Sequence, residues 1–381
     1  MPQSLDIWSI IIIVSIAHSV FAINLLGFKK EFQHKAGFWL LMFLLSLLWL
    51  QVEFLAIRWP FNVGLDVFYG TRHGSWLLVG PLYYFYIKSI TREETQKLDY
   101  LFLLPFIVFT VVLPLLVNDF LSFRQVHYGM LTPFDGRPDE LSVLQYFYSF
   151  LFIFQFFYLA YFLFLTRKEI NNYVKRLRDS LSSINREMIY WLKTTWISVV
   201  LILIICTSFL VLLFFFTEYY RRHFDYLYVL PMSFLVYAIS YKLAGVRWQM
   251  AEPTMEESIK YQKSGLTTKD AKRYEKKLEQ LLREEKLYLN QGLRLKDLSE
   301  HLKVPSHTIS QVLNQQMNTT LYDWVNQFRV IEAKRLIQLK PEQTLLHIAF
   351  EAGFNNKTSF VNAFKKFAGE TPSSFMRKST P

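Results

Sequence analysis

The chain has 381 residues, of which 52% are apolar and 18% aromatic but only 19% charged, with a formal net charge of +11. Length leaves room for two or three domains, and so few charges beside so many aromatic rings are unlike an ordinary soluble protein. The single cysteine, Cys206, lies in an apolar run. It excludes an intrachain disulfide framework and a multi-cysteine zinc site, and reads as a small buried hydrophobe.

Up to about Arg247, long apolar blocks alternate with short polar stretches. Roughly 20 apolar residues suffice to cross the hydrocarbon of a bilayer as a helix. Seven blocks reach that length: 7–28, 36–57, 67–87, 98–117, 141–166, 189–216 and 225–246. The third is interrupted by Arg72, His73 and three glycines. No Lys or Arg precedes the first block and no small-residue cleavage site follows it, so a secretory signal peptide is not expected.

Basic loops are retained on the cytoplasmic side. With the N-terminus outside, the inner loops hold Lys29, Lys30, Lys35, Lys88, Arg92, Lys97, Arg167, Lys168, Lys175, Arg176, Arg178 and Arg186. The outer loops hold only Arg58, Arg124, Arg137, Arg221 and Arg222. Seven spans then leave the C-terminus in the cytoplasm. The longest outer loop, 118–140, carries the turn signal Asp135-Gly136-Arg137-Pro138 and is too short for a sensor domain.

Polar residues inside or near the blocks are His18, Asn24, Glu53, His73 and Gln155. Ionisable groups in lipid are expensive, which makes His18, Glu53 and His73 candidates for a ligand site. Helix packing or contact with interfacial water is the simpler account, with Asn24 and Gln155 bonding between helices. Trp39, Trp59, Tyr83, Tyr84, Tyr86, Trp191 and Tyr237 are expected as interfacial anchors.

Residues 252–266 read as a juxtamembrane linker. A charged helix follows over 267–286, where Ala271, Tyr274, Leu278 and Leu281 form one apolar stripe. Thr267 followed by Asp270 makes a capping-box pattern. The stripe spans under two heptads, so it suits packing against its own domain better than a dimer seam.

Two later segments share one plan of short helix, tight turn and second helix. In the first, Leu295, Leu298 and Leu302 line one helix, Lys303-Val304-Pro305 is the turn, and Ile309, Val312 and Leu313 anchor the helix over 306–314. In the second, the helix over 344–353 ends at Gly353, where the turn calls for positive φ or close approach. There Phe360, Phe364 and Phe367 face inward from the helix over 357–367. Between the two, residues 321–339 read as one helix with Leu321, Trp324, Val325, Phe328 and Ile331 on a face, ended by Pro341. A helix of that length spans about 30 Å, close to the roughly 34 Å repeat of B-DNA, so both second helices can enter successive major grooves.

The run Ile348-Ala349, Gly353-Phe354, Phe360, Phe364-Lys365, Gly369, Thr371-Pro372-Ser373, Phe375 and Arg377 closely resembles the signature of the AraC/XylS family of bacterial transcription regulators. Arg329, Ala333 and Leu336-Ile337 resemble that family's connecting helix. The resemblance covers about 292–378 and implies a seven-helix DNA-binding fold of two subdomains. In two places the chain departs from the pattern: Pro305 precedes Ser306 where the family has Ser then Pro, and Met376 separates Phe375 from Arg377. By this resemblance the groove-facing residues are His307, Ser310 and Gln311 in the first recognition helix, and Lys357, Thr358, Val361 and Asn362 in the second. Gln and Asn can pair bidentately with adenine, Lys and His can donate to guanine, and valine can meet a thymine methyl. Lys365 and Lys366 suit phosphates.

The expectation is an all-α chain: a seven-helix transmembrane bundle (1–247, N-terminus outside), a linker and connector helix (248–286), and a cytoplasmic all-α double helix-turn-helix domain (287–381). Such a chain would sit in the bacterial cytoplasmic (inner) membrane, with double-stranded DNA and the lipid bilayer as partners. A homodimer and a small-molecule or membrane-protein signal complete the expected partners. No phosphate loop, nucleophile–base pair or metal-ligand cluster is present as a motif, so neither enzyme activity, cofactor nor metal is expected. The alternative is a membrane transporter or enzyme with an autoregulatory DNA-binding tail.

Overall fold

The computed structural model describes residues 7–28, 35–58, 72–91, 96–112, 143–184, 186–215, 229–245 and 266–379. Among these residues the regular structure is helical, apart from one isolated antiparallel bridge between Leu181 and Arg294. The chain forms two compact units. The first comprises Met1–Asn171 and Met188–Gln249, and the second Asn172–Glu187 and Met250–Pro381.

The first unit is built from α1 (Ile7–Phe28), α2 (Lys35–Arg58), α3 (Arg72–Ile90), the short α4 (Leu104–Ile107), most of α5 (Val143–Ser180) and α6 (Arg186–Phe215), and α7 (Val229–Gly245). α1 packs on α2 and α7, and α2 on α3. By length and composition three helices can cross a membrane among the described residues: Ile7–Phe28, Lys35–Glu53 and Glu187–Ser208. Leu230–Leu243 is apolar but shorter. The fourth apolar block departs from a single helix. It runs as a 3₁₀ segment (Lys97–Leu103), α4, then a π-helical turn (Val108–Val112). Pro105, in the first turn of α4, has no N–H to carry an α-helix through from the segment before it. α5 instead outruns its apolar block by more than three turns. The outer loop 118–140, Trp59, the basic residues expected in the outer loops (Arg124, Arg137, Arg221 and Arg222) and nearly all of the linker lie outside the described residues.

This unit has an apolar interior, including Leu40, Phe43, Leu44, Leu47 and Phe162, yet it also leaves large apolar side chains at its surface. Ser9, Ser15, Ser19, Ser46 and Gln51 are buried, while Ile10, Val14, Phe21, Phe38, Phe157, Phe164 and Ile204 are exposed. Small polar residues between helices permit close approach and bond across the contact. Ser19 Oγ donates to Gln51 Oε1 at 3.2 Å, and Ser240 Oγ donates to the His18 carbonyl at 3.0 Å.

The aromatic residues correct one expectation. Trp39, Tyr83, Tyr86 and Trp191 are buried rather than set at the bundle's margin. The polar atoms of Tyr83, Tyr86 and Trp191 find partners between helices: Tyr83 Oη lies 3.0 Å from Thr195 Oγ1, and Trp191 Nε1 donates to Tyr86 Oη at 3.2 Å. A hydroxyl satisfied inside the bundle has no need of interfacial water. Tyr237 remains half exposed, with its ring edge-on to His18. Glu53 is also buried instead of reaching outward, and Asn24 bonds within its own helix, to the Val20 carbonyl. Gln155 is buried with neither amide atom paired among the described residues. His73 lies in the first turn of α3.

Among the described residues, the C-terminal part of the second unit holds seven helices: α8 (Thr268–Glu284), α9 (Leu295–Leu302), α10 (Ser306–Gln311), α11 (Leu321–Leu339), α12 (Leu345–Glu351), α13 (Lys357–Ala368) and α14 (Pro372–Ser379). They enclose two hydrophobic clusters. The first joins Ala271, Leu278 and Leu282 of α8 to Leu295, Leu298, Ile309, Val312, Leu313, Leu321, Trp324 and Val325. The second gathers Val330, Ala333, Leu336, Ile337, Ile348, Ala349, Phe354, Phe360 and Phe364. Phe354, Phe360 and Phe364 are each at most 1% exposed, worth roughly 2 kcal/mol apiece in transfer free energy. α11 serves both clusters, so its buried face rotates along its length. The single stripe expected from Leu321 to Ile331 therefore breaks, and Ile331 is 59% exposed while Val330 is buried.

Gly353 adopts φ +90°, as the turn before α13 requires. A Cβ there would stand 2.5 Å from the Tyr288 carbonyl oxygen and 2.8 Å from Leu289 Cα. Both neighbours are backbone and cannot swing away. Gly353→Ala should thus cost the second unit at least about 2 kcal/mol, read as faster amide exchange across α12 and α13 in the full chain.

Candidate nucleic-acid interface

Two helix-turn-helix pairs hang on one rod. α9 and α10 pack on the N-terminal half of α11 through the first cluster, and α12 and α13 on its C-terminal half through the second. The rod's 19 residues span about 28 Å. Its start is capped by Thr320, whose side chain accepts from the Asp323 amide, and its end by the break before Pro341.

The two recognition helices are built differently. α13 opens on Asn356, whose Oδ1 accepts from the Ser359 amide at 2.7 Å, and closes on Gly369 at φ +78°. Its inner face is Phe360, Ala363 and Phe364. Its outer positions Lys357, Thr358, Asn362, Lys365 and Lys366 are exposed, and Val361 is half-buried beside the second cluster. Lys366 Nζ already meets Asp323 Oδ1 at 2.7 Å, tying this helix to the start of the rod.

α10 opens on Pro305 with no side-chain cap, follows a left-handed Lys303, and widens at Val312–Gln316 into a π-helical turn. Proline at this position leaves the first amides to the backbone alone, and Thr308 N–H bonds the Pro305 carbonyl at 2.9 Å. His307, Ser310 and Gln311 are all half-buried. Gln311 Nε2 donates to Gln315 Oε1, and Ser310 Oγ accepts from Asn314 Nδ2. His307 Nδ1 is buried without a hydrogen-bond partner among the described residues.

Arg329, in the middle of the rod and 1% exposed, was legible only as part of a family pattern, and its role is structural. Nε donates to the Tyr288 carbonyl at 2.7 Å, and Nη2 to the Asn290 carbonyl at 2.7 Å and to Ser182 Oγ at 3.2 Å. Nη1 donates to the Ser182 carbonyl at 3.1 Å and to Asn326 Oδ1 at 3.4 Å. All five guanidinium N–H groups are thereby engaged, and the group lies 5.8 Å from the Phe354 ring centre. Burial pulls its pKa down to about 10, which leaves it charged at neutral pH. Nothing in the sequence signalled Ser182 as its partner, 147 residues away.

Around this centre the charges are ordinary surface pairs. Arg335 holds the Glu332 carboxyl below its usual range, and Ser374 and Lys378 do the same for Glu370. Among the described residues no cluster of His, Cys, Asp and Glu is arranged to hold a metal ion.

Residues 298–378 match the model of a helix-turn-helix domain family. The same region is similar to the melibiose operon regulatory protein of Escherichia coli strain K12, 24% identical over 90 residues, which is 24% of this chain and 30% of that protein. It is 26% identical over 97 residues to the probable transcription factor PqrA of Proteus vulgaris, covering 26% of this chain and 79% of that protein. The Msm operon regulatory protein of Streptococcus mutans is 23% identical over 87 residues, covering 23% of this chain and 31% of that protein. The chain thus spans less than a third of the length of the two operon regulators. A solved structure of a Listeria innocua protein of unknown function covers 28% of this chain at a TM-score of 0.25. The C-terminal region is a helix-turn-helix domain of the AraC type.

Two outcomes follow. Asn356→Ala removes the cap of α13 and should cost about 1 kcal/mol, seen as faster exchange at Thr358–Phe360 with α10 unchanged. Arg329→Lys keeps the charge but replaces a five-donor fork with a point donor, leaving carbonyls unpaired. It should destabilise the second unit by roughly 3 kcal/mol in urea titrations of the full chain.

Proposed function

We propose that this chain is a membrane-embedded bacterial transcription regulator that reads promoter DNA sequence-specifically through both helix-turn-helix motifs, in response to a signal at or in the membrane. The observation that carries the reading is the pairing of α10 and α13 on a single rod whose length approaches the helical repeat of DNA. In this reading His307, Ser310 and Gln311 meet bases from the first helix, and Lys357, Thr358, Val361 and Asn362 from the second. Lys365 and Lys366 neutralise phosphates, Lys366 after exchanging Asp323 for the backbone.

Membrane residence is supported by the many exposed aliphatic and aromatic side chains of the first unit and by its three helices long and apolar enough to cross a membrane. Exposed apolar surface on that scale suits lipid and not water. The excess of Lys and Arg in the loops read as inner supports a cytoplasmic second unit, where DNA is. His18, Glu53 and His73 remain the residues of the bundle through which a small molecule could act.

The test is selection of duplexes from a random library by the full chain in nanodiscs. Gln311→Ala combined with Asn362→Ala should abolish enrichment of one sequence while leaving weak, sequence-blind binding. Enrichment of the same sequence by the double variant would sink the residue assignment. Affinity for the selected duplex should fall on the order of 100-fold between 50 and 200 mM salt if four phosphates are neutralised. In cells the chain should stay with the membrane through a high-salt wash, and protease should reach the second unit only in inverted vesicles.

A further inference from the structure

The second unit includes sixteen residues that do not come from the C-terminal part of the chain. Asn172–Glu187 belongs to it, while the chain up to Asn171 and from Met188 belongs to the first unit. This segment is the end of α5 and the turn into α6. Tyr173, Leu177, Ser182 and Ile184 are buried in it. Leu181 forms the antiparallel bridge with Arg294, the residue that precedes α9, and Ser182 N–H donates to the Leu293 carbonyl at 3.1 Å. Ser182 then offers its carbonyl and its hydroxyl to the two Nη atoms of Arg329.

We propose that Asn172–Glu187 is a docking element that sets the first helix-turn-helix from the membrane side, so that movement of α5 against α6 reaches α9 and α10 through Ser182 and Arg329. The chemistry of the socket fits this occupant. A buried guanidinium with five N–H groups needs acceptors, and the second unit's C-terminal residues supply three, from Tyr288, Asn290 and Asn326. Ser182 supplies the remaining two, one from backbone and one from side chain. An Arg329 deprived of Ser182 has two N–H groups exposed to a low-dielectric surrounding without acceptors. The bridge also fixes the residues that lead into α9, because the pairing immobilises Leu293 and Arg294 directly before the helix begins. Transmission by this path rests on the membrane reading above, whereas the docking itself does not.

The bridge geometry supplies the test. With Ser182 N–H bonded to the Leu293 carbonyl, Leu181 and Arg294 form a non-hydrogen-bonded antiparallel pair. Such pairs have Cα atoms about 4.5 Å apart, within the range a disulfide spans. In the full chain with Cys206→Ala, the pair Leu181→Cys and Arg294→Cys is oxidised in membranes, then cut at a protease site inserted between positions 250 and 266. Docking predicts that most of the two fragments remain joined on a non-reducing gel, and that Ser182→Pro lowers the yield at least fivefold. Hydrogen exchange of the full chain reads the coupling. Ser182→Pro should speed exchange over Leu293–Gln311 at least fivefold, Ser182→Ala by less, and the disulfide should slow it, all with α13 unchanged. Linkage no better than for the same protein oxidised in urea overturns the proposal. So does efficient linkage with exchange over Leu293–Gln311 unaffected by Ser182→Pro. Absence of the chain from the membrane fraction would instead refute the membrane reading, which the linkage yield does not touch.

Discussion

The second unit depends on one buried cation. Arg329 is nearly inaccessible to solvent, and a guanidinium taken out of water is tolerable only when every N–H finds an acceptor. Four of its five acceptors are on segments distant in sequence: two carbonyls near 290, and the carbonyl and hydroxyl of Ser182. Because the charge cannot stay buried without them, those segments are held where they are. The arginine ties these two segments to α11 by polar bonds, in addition to the apolar contacts of Tyr288, Leu293, Leu177 and Ile184.

The short 3₁₀ turn Leu287–Leu289 receives that constraint from one side and a second from the other. Arg329 pins the Tyr288 carbonyl, and Gly353 packs its bare Cα edge against the same carbonyl and Leu289. The glycine belongs to the second helix-turn-helix and the 3₁₀ turn leads into the first. Relative placement of the two motifs therefore rests on more than the stiffness of α11. It is set at a point where backbone meets backbone, which tolerates no added methyl group. The Phe354 ring beneath the guanidinium joins the second cluster to the same point.

Much of this was readable in advance, and the failures have physical causes. Periodicity placed Leu295, Leu298, Ile309, Phe360 and Phe364 inside because a helix against one core has one apolar stripe. It misplaced Ile331 because α11 meets two cores in succession. The glycine of the second turn was legible because only a backbone demand explains Gly353 there. Trp39, Tyr83, Tyr86 and Trp191 were misread as anchors, since composition cannot distinguish a hydroxyl that meets water from one that meets Thr195. The fourth apolar block was legible as apolar but not as broken, although Pro105 was in plain view. Ser182 carried no signal at all: a serine in a polar loop acquires meaning only when a buried arginine 147 residues later needs its oxygens.

The two recognition helices differ in how firmly each is built, and the difference bears on how such a domain is controlled. α13 has a side-chain cap at one end, a left-handed glycine at the other, and three phenylalanines beneath it or before it. α10 begins on a proline without a side-chain cap and loosens into a wider turn within two helical turns of its start. Local free energy of opening follows cap quality and buried apolar contact, and α10 lacks the side-chain cap and the terminal glycine that hold α13. It is also the helix whose partner α9 is anchored through Leu293 and Arg294 to residues 181 and 182. The softer motif is thus the one an outside segment holds, and the firmer motif is left to its own core. A regulator gains from that division, because a domain that is rigid throughout would transmit nothing, and one that is soft throughout would bind nothing selectively.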